Sequence, residues 1–242
     1  MIVNGREIAE DILKELHGPL TLGVIMGTDS ASDSFVKMKE KSAARVGVVL
    51  KRFTAEQIDE ALLCDGVIVQ LPLPNSDELI AKIPPEKDVD ALGAHARVYS
   101  PVAGAIAEVL AKTRTEVKNK KAVVVGAGRL VGAPAAKLLQ ELGATVSTIT
   151  STHGSLEELK GADIVVLGAG EPGLIKPHHL KPGVVLIDAG TSELAGVLRG
   201  DADPACAEVA SVFTPVPGGI GPIAVAMIFK NLFKLAQKQA LL

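Results

Sequence analysis

The chain has 242 residues, 48% hydrophobic and 22% charged, which is enough for one large or two modest domains with their own cores. The net charge of -3 arises from mixed signs without a basic block, so nucleic acid and anionic membranes are not expected partners. Two cysteines and five histidines are scattered without metal-ligand or disulfide spacing, and no stretch reaches the roughly 18 apolar residues of a membrane span. These features predict a soluble, cytoplasmic protein without a metal site.

The first part of the chain alternates between helical and strand periods. Apolar residues at helical spacing up to Leu16 predict a helix that ends at Gly18, and LTLGVIM predicts a strand. A helix over 32–46, the strands GVVLKRF and GVIVQL around the helix AEQIDEALL, and the short helix SDELIAKI follow. This order predicts an α/β unit with a buried parallel sheet.

A second series of alternating elements begins near residue 120. It contains the strand KAVVVG, a helix over LVGAPAAKLLQELG, the strand ATVSTIT, the short helix SLEELKG, and the strands ADIVVLG and GVVLIDAG. Such alternation is typical of a doubly wound parallel sheet. PVAGAIAEVLAKT is expected to be a linking helix, and the last apolar helix is expected to return to the first domain. The predicted domains are residues 1–113 with 222–242, and residues 114–221.

A glycine-rich turn, VVVGAGRLVGAP, indicates a nucleotide site in the second series. Gly126, Gly128 and Gly132 lie where a strand turns into a helix, so that backbone N–H groups can approach a phosphate. The spacing is one residue longer than the usual fingerprint, and a merely tight turn is the alternative. The next strand ends in TSTHG, without the carboxylate that many NAD sites use. This favours NADP over NAD, with Arg129 or His153 at the 2′-phosphate. Alternatively, Arg129 is an exposed side chain that contacts only solvent.

Two proline-rich loops and one helix face carry the other site signals. GVIVQLPLP delivers Gln70 at the carboxyl end of a parallel strand, where α/β sheets bind ligands, and its prolines lock the turn. FTPVPGGIGP is a stiff loop whose glycines allow close backbone approach, although both loops also fit plain tight connections. Helical spacing places Phe35 and Lys39 on one face and turns Lys37 and Lys41 away towards solvent.

Six segments in chain order resemble the bifunctional methylenetetrahydrofolate dehydrogenase/cyclohydrolase family: S-F-V-K-M-K, VQLPLP, P-x-K-D-V-D, a glycine-rich turn ending VGAP, ID-x-G and TPVPGGIGP. The resemblance covers nearly the whole chain. It implies an α/β fold with an N-terminal folate domain and a C-terminal Rossmann-like NAD(P)-binding domain, arranged as a homodimer. Members oxidise 5,10-methylene-tetrahydrofolate to the methenyl form and hydrolyse that form to 10-formyl-tetrahydrofolate.

The resemblance also implies roles for individual residues. Lys39 falls on the lysine of a Tyr-x-x-x-Lys pattern that acts in the cyclohydrolase step, Gln70 is expected to hold it, and Asp90 matches an aspartate that binds the pteridine ring. Asp88 is interpreted as a cap or a solvated neighbour. The expected substrate contacts are Phe35, Leu71, Pro72, Pro217, Gly218 and Gly219, and the expected cofactor contacts are Gly126, Gly128, Arg129, Leu130, Val131, Ser151, His153 and Gly168.

Several positions depart from the family pattern. Phe35 replaces its tyrosine, Ala91 a glycine, Ala133 an arginine frequent in NADP-dependent members, and Ala224 a threonine; SPVAGAI lacks a threonine, and the first domain is short. Hydride transfer needs mainly placement of the cofactor, whereas hydrolysis also needs a proton carrier. The sequence therefore predicts a dehydrogenase that also has cyclohydrolase activity. The alternatives are a non-catalytic folate or nucleotide-binding module and an oxidoreductase that acts on another small substrate.

Overall fold

The computed structural model describes residues 1–27, 30–194 and 197–239, and for residues 30–35, 194 and 238–239 it describes the backbone alone. The chain divides into two compact α/β units. Met1–Ile8 and Val102–Ala224 form one, named here the five-stranded unit; Ala9–Pro101 and Val225–Leu242 form the other, the three-stranded unit. The predicted fold class is confirmed, while the predicted functional domain limits stay a prediction. Those limits would assign residues 1–8 and 102–113 to the first domain.

The three-stranded unit has a parallel sheet in the order β2-β1-β3. Its buried strands β1 and β3 are short apolar runs, which suits a parallel sheet covered on both faces. The predicted helix between β2 and β3 is shorter than expected, because a 3-10 turn at Ala55–Gln57 precedes a single α-helical turn. The elements are α1 (Gly5–Lys14), β1 (Thr21–Ile25), α2 (Ser30–Arg45), β2 (Val49–Phe53), α3 (Ile58–Ala61), β3 (Gly66–Val69) and α4 (Ser76–Lys82).

The five-stranded unit has a parallel sheet in the order β10-β7-β6-β4-β5. The order reverses at β4, which has β5 on one side and β6 on the other, as in doubly wound sheets. A hairpin of β8 and β9 lies outside this sheet and was not predicted. The elements are α5 (Pro101–Lys112), β4 (Lys121–Val125), α6 (Gly132–Glu141), β5 (Thr145–Ile149), β6 (Ile164–Leu167), β7 (Val185–Asp188), β8 (Ser192–Leu194), β9 (Val197–Arg199) and β10 (Val212–Thr214). The last helix, α7 (Ile220–Gln239), begins in this unit and belongs to the three-stranded unit from Val225 onwards.

The residues at the start of the chain extend the five-stranded sheet. The Val3 amide donates to the Phe213 carbonyl at 2.8 Å, and the Phe213 amide donates to the Met1 carbonyl at 2.9 Å. Residues 1–3 therefore run beside β10 and cover an edge strand that would otherwise be open. No helix in the described ranges is both long and apolar enough to cross a membrane.

Candidate functional site

Lys39 and Gln70 meet at the carboxyl edge of the three-stranded sheet. The backbone N–H of Gln70 extends the β3 pairing by donating to the Ile25 carbonyl at 2.8 Å. This bond places the Gln70 side chain just beyond the end of the strand. The Lys39 Nζ atom, on α2, donates to Gln70 Oε1 at 2.5 Å, and Gln70 Nε2 donates to the Leu71 carbonyl at 3.1 Å. The side-chain amide of Gln70 is thus oriented with its oxygen towards the Lys39 amino group.

The surroundings of Lys39 favour its neutral form. Burial lowers the pKa of Lys39 below its ordinary value, and the negative charge of Asp90 opposes this shift. A lysine whose pKa is lowered by desolvation has a larger neutral fraction near pH 7 and can both accept and donate a proton. Lys37 and Lys41, on the same helix, are exposed, as the helical spacing predicts.

Asp90 is the charged group that acts on Lys39. Burial raises the pKa of Asp90 to about 6, the charge of Lys39 lowers it, and the charge of Asp88 raises it further. Asp90 as a whole residue is partly exposed, while its carboxyl group is desolvated. Lys39 thus bonds Gln70 and interacts electrostatically with Asp90, and the roles expected of the three residues stay predictions.

The turn that carries Asp90 is closed by Asp88. The Asp88 side chain, 3% exposed, accepts hydrogen bonds from the Leu92 amide at 3.2 Å and the Gly93 amide at 2.7 Å. Its interpretation as a cap is correct, and its interpretation as a solvated neighbour is wrong. Ala91 adopts a positive φ of 55°, in the left-handed region where the Cβ of an L-residue is unfavourable. This explains why glycine suits that position.

Three predicted substrate residues adjoin the Lys39–Gln70 pair in sequence or on the helix. Leu71 packs on the apolar core of the three-stranded unit, and Pro72, which follows it through a cis peptide bond, is exposed. The Phe35 side chain lies outside the described residues. The roles of all three stay predictions.

A tight glycine junction follows β4 and β6 in the five-stranded unit. The Gly126 amide donates to the Ile149 carbonyl and the Gly168 amide to the Val125 carbonyl, both at 2.8 Å, so these loops begin side by side. A Cβ atom on Gly126 would overlap the Gly168 carbonyl, and one on Gly132 would overlap the Gly126 carbonyl. These glycines are required because backbone packs directly on backbone.

Gly128 differs from its neighbours, because a Cβ atom there would meet no heavy atom within 4 Å. It lies on the loop between β4 and α6, beside the N-terminus of that helix, whose dipole attracts a phosphate. Open space beside a glycine at a helix start fits the close approach of a nucleotide, and the neighbouring loop 150–154 carries no carboxylate to oppose a 2′-phosphate. The residues present therefore fit a dinucleotide.

The other predicted cofactor residues lie along the same sheet edge. Arg129 and Leu130 are exposed on the loop between β4 and α6, while Val131 contacts the loop after β6, since its side chain would overlap a Cβ atom on Gly168. Ser151 and His153 are exposed in the turn after β5. Because β4, β5 and β6 are parallel neighbours, their carboxyl ends meet at one edge.

Pro217, Gly218 and Gly219 follow β10 and belong to the five-stranded unit. The Gly219 amide donates to the Pro215 carbonyl at 2.7 Å, and the Gly5 amide donates to the Gly218 carbonyl at 2.9 Å. Gly218 has a φ of +104°, which requires glycine, and the Val216–Pro217 peptide is cis. The loop has a defined shape, and its contact with substrate stays a prediction.

Sequence reasoning missed a buried polar network behind the nucleotide loops. Asp201 accepts hydrogen bonds from the amides of Ala169 at 2.6 Å and Glu171 at 2.8 Å, which holds the loop after β6. Asp188 accepts from the Ala202 amide at 2.8 Å, and burial raises the pKa of Asp188 to about 7. Aspartates that end or follow apolar strands, in LIDAG and RGDAD, were the available signal.

Comparison with known proteins finds matches over almost the entire chain. Models of the tetrahydrofolate dehydrogenase/cyclohydrolase catalytic domain and NAD(P)-binding domain match residues 3–90 and 100–240. The bifunctional protein FolD of Halothermothrix orenii is 38% identical over 96% of each chain, and that of Brevibacillus brevis is 36% identical over 99% of this chain and 98% of its own.

Solved structures give the same result. The bifunctional enzyme FolD of Campylobacter jejuni has a TM-score of 0.92 and 26% identity, covering 99% of both chains. The FolD dehydrogenase-cyclohydrolase of Trypanosoma brucei, solved with NADP cofactor and inhibitor, has a TM-score of 0.89 and 29% identity over 99% of this chain and 98% of its own.

Proposed function

The chain belongs to the tetrahydrofolate dehydrogenase/cyclohydrolase family, and we propose that Lys39, Gln70 and Asp90 carry the chemistry of its folate site. It is a bifunctional enzyme of one-carbon metabolism. It oxidises 5,10-methylene-tetrahydrofolate with NAD(P)⁺ and hydrolyses the methenyl product to 10-formyl-tetrahydrofolate. The hydrogen bond from Lys39 to Gln70, beside Asp90, is the observation that carries the proposed roles.

NADP is the cofactor, with NAD as the alternative. When bound, it accepts the hydride that leaves the methylene carbon. We assign its pyrophosphate to the loop around Gly128 before α6, because a Cβ atom on Gly128 would meet no heavy atom within 4 Å. Arg129, Ser151 and His153 are assigned to the ribose and its 2′-phosphate.

Lys39 is proposed as the proton carrier of hydrolysis. Water adds to the methenyl carbon, and the neutral Lys39 amine, favoured by burial that lowers the pKa of Lys39, accepts the proton that the water loses. The resulting ammonium group then returns a proton to the ring nitrogen as the bond between that nitrogen and the carbon breaks, while the hydroxyl on the carbon releases its proton to solvent and becomes the formyl C=O. Gln70 Oε1 keeps the Lys39 Nζ atom in place through both transfers.

Asp90 is proposed as the pteridine anchor. An ionised carboxylate can accept a pair of N–H hydrogen bonds from the ring, and such charge-assisted pairs give both affinity and orientation. Since the pKa of Asp90 is raised to about 6, folate affinity is expected to fall as the pH drops below that value. Phe35, Leu71, Pro72 and the loop at 217–219 are proposed as further substrate contacts.

We also propose a homodimer in the cytoplasm. Val197 and Leu198 in the hairpin of β8 and β9 are 52% and 38% exposed, and a two-stranded hairpin offers open edges for pairing. Cys64 and Cys206 are free and buried, which fits a reducing compartment. Light scattering during size-exclusion chromatography tests the dimer.

A two-signal spectrophotometric assay tests the division of roles. Reduced cofactor and methenyl product are followed separately for the wild type, for Lys39→Ala, and for Lys41→Ala, an exposed lysine of the same helix. Lys39→Ala should slow hydrolysis about 100-fold or more, in the range expected of a lost proton carrier, and oxidation much less. Lys41→Ala should change neither rate. An equal loss of both activities in Lys39→Ala would contradict the assignment.

A further inference from the structure

Asn231 is a buried amide in the middle of α7. Its side chain is 3% exposed, and its neighbours Phe229 and Leu232 are fully buried. The Asn231 Nδ2 atom donates two hydrogen bonds, both of 2.9 Å, to the carbonyls of Val89 and Tyr99. A buried amide is tolerated in such surroundings because these bonds replace those it would make to water.

The two carbonyls bound to Asn231 bracket the segment that carries Asp90. The Val89 carbonyl and the Asp90 N–H belong to the same planar peptide unit. The hydrogen bond from Asn231 to the Val89 carbonyl therefore also fixes the backbone at the start of Asp90. On the opposite side of the Val89 residue, its amide donates to the Val67 carbonyl of β3 at 3.4 Å. The backbone before Asp90 is thus held from the sheet and from α7.

The turn after Asp90 is held as firmly. The Asp88 carboxylate accepts hydrogen bonds from the amides of Leu92 and Gly93, and Ala91, just before them, keeps an unfavourable positive φ of 55°. A residue remains in such a conformation only where its surroundings determine it, and this often occurs beside functional groups. The conformation of the turn therefore depends on Asp88 within the segment and on Asn231 outside it.

From these contacts we infer that Asn231 is a positioning residue of the folate site, which holds the 89–99 segment so that Asp90 faces its substrate. The inference rests on the role proposed for Asp90. The charged groups that act on Asp90 are Lys39 from α2 and Asp88 from its own turn. A displaced segment would move Asp90 away from Lys39 and Gln70 without altering either side chain.

Steady-state kinetics of the full chain test the inference. Asn231→Ser removes the double donor, and Asn231→Gln keeps the amide one methylene further out and serves as the second variant if the first folds poorly. Leu235→Val, in the same helix and at a fully buried position, controls for a general loss of stability. Asn231→Ser should raise the KM for 5,10-methylene-tetrahydrofolate about tenfold, the effect of one misaligned charge-assisted hydrogen bond. The Kd for NADP should stay unchanged, and Asn231→Gln should give an intermediate KM.

The outcomes separate this inference from the proposed function. If Asn231→Ser and Leu235→Val lower the Tm similarly and both leave the folate KM unchanged, Asn231 is merely structural and the inference is wrong. Asp90→Asn is measured alongside. If Asp90→Asn also leaves the folate KM unchanged, the anchor role of Asp90 fails; if it raises the KM while Asn231→Ser and Asn231→Gln do not, the positioning role alone fails.

Discussion

Replacing Gly128 by valine should remove nucleotide binding and leave the fold intact. Gly128 has no positive φ, and a Cβ atom there would meet no heavy atom within 4 Å, so we expect the five-stranded unit to fold with valine at this position. The same open space is where the phosphates of the cofactor are expected to approach the backbone. A valine side chain would occupy this space and keep the phosphates away from the backbone of the loop before α6.

The size of the effect follows from the hydrogen bonds that the valine would displace. Two hydrogen bonds to a charged phosphate contribute about 1.5 kcal/mol each at the lower end of their range. Their loss amounts to about 3 kcal/mol, which corresponds to an increase in Kd of roughly 100-fold or more. Direct overlap between the valine and the cofactor would add to this value.

Isothermal titration with NADP and with NAD⁺ measures the change, and thermal unfolding checks the fold. Hydrolysis of added methenyl-tetrahydrofolate provides the internal control, because the residues assigned to it lie in the three-stranded unit. Gly128→Val should therefore lose oxidation and keep hydrolysis. A folded Gly128→Val protein with wild-type affinity for both nucleotides would refute the reasoning and remove this loop from the cofactor site.

Three further predictions concern stability. Gly132→Ala should lower the free energy of unfolding by about 1–3 kcal/mol, because its Cβ atom would overlap the Gly126 carbonyl and force the loops apart; an unchanged urea midpoint would contradict this. Ala91→Gly should raise the free energy of unfolding by up to about 1 kcal/mol, since relief of the positive φ of 55° outweighs the extra freedom of glycine when unfolded, and a lower urea midpoint would count against it. Because burial raises the pKa of Asp188 from 3.8 to about 7, the folded state retains a proton that the unfolded state releases. The stability that this group contributes should be present below about pH 4 and decline by at most about 4 kcal/mol as the pH rises to 7. Urea unfolding should therefore show a higher midpoint at pH 5 than at pH 8, and the reverse order would contradict the assignment.

The two sheets and the Lys39–Gln70 pair were predictable because they follow from local pattern. Short apolar runs indicate buried parallel strands, and a polar residue directly after such a run must lie at the carboxyl edge. The pairing of Lys39 with Gln70 needed in addition the resemblance to a known family, since spacing alone gives only the face of α2. Helical spacing also placed Lys37 and Lys41 in solvent.

The features that escaped prediction depend on contacts distant in sequence. Asp88 is buried because its backbone pairs with Val67 of β3 in an isolated parallel bridge. The short sequence around Asp88 does not reveal this pairing. Asn231 binds a carbonyl 142 residues away. The segment after β5 has helical composition but forms the 3-10 helix Leu156–Gly161, whose six residues are too few for a stable α-helix without further support.

The pairing of residues 1–3 with β10 has a consequence for synthesis on the ribosome. Val3 is synthesised about 210 residues before its hydrogen-bond partner Phe213. Closing a loop of about 200 residues costs roughly 5 kcal/mol of chain entropy, so this pairing should form late. The three-stranded unit also cannot be completed before α7 is synthesised, because Leu232 of α7 packs against Gly66 of β3. Nascent chains should therefore expose apolar strands for most of translation, and molecular chaperones should bind them until α7 has left the exit tunnel.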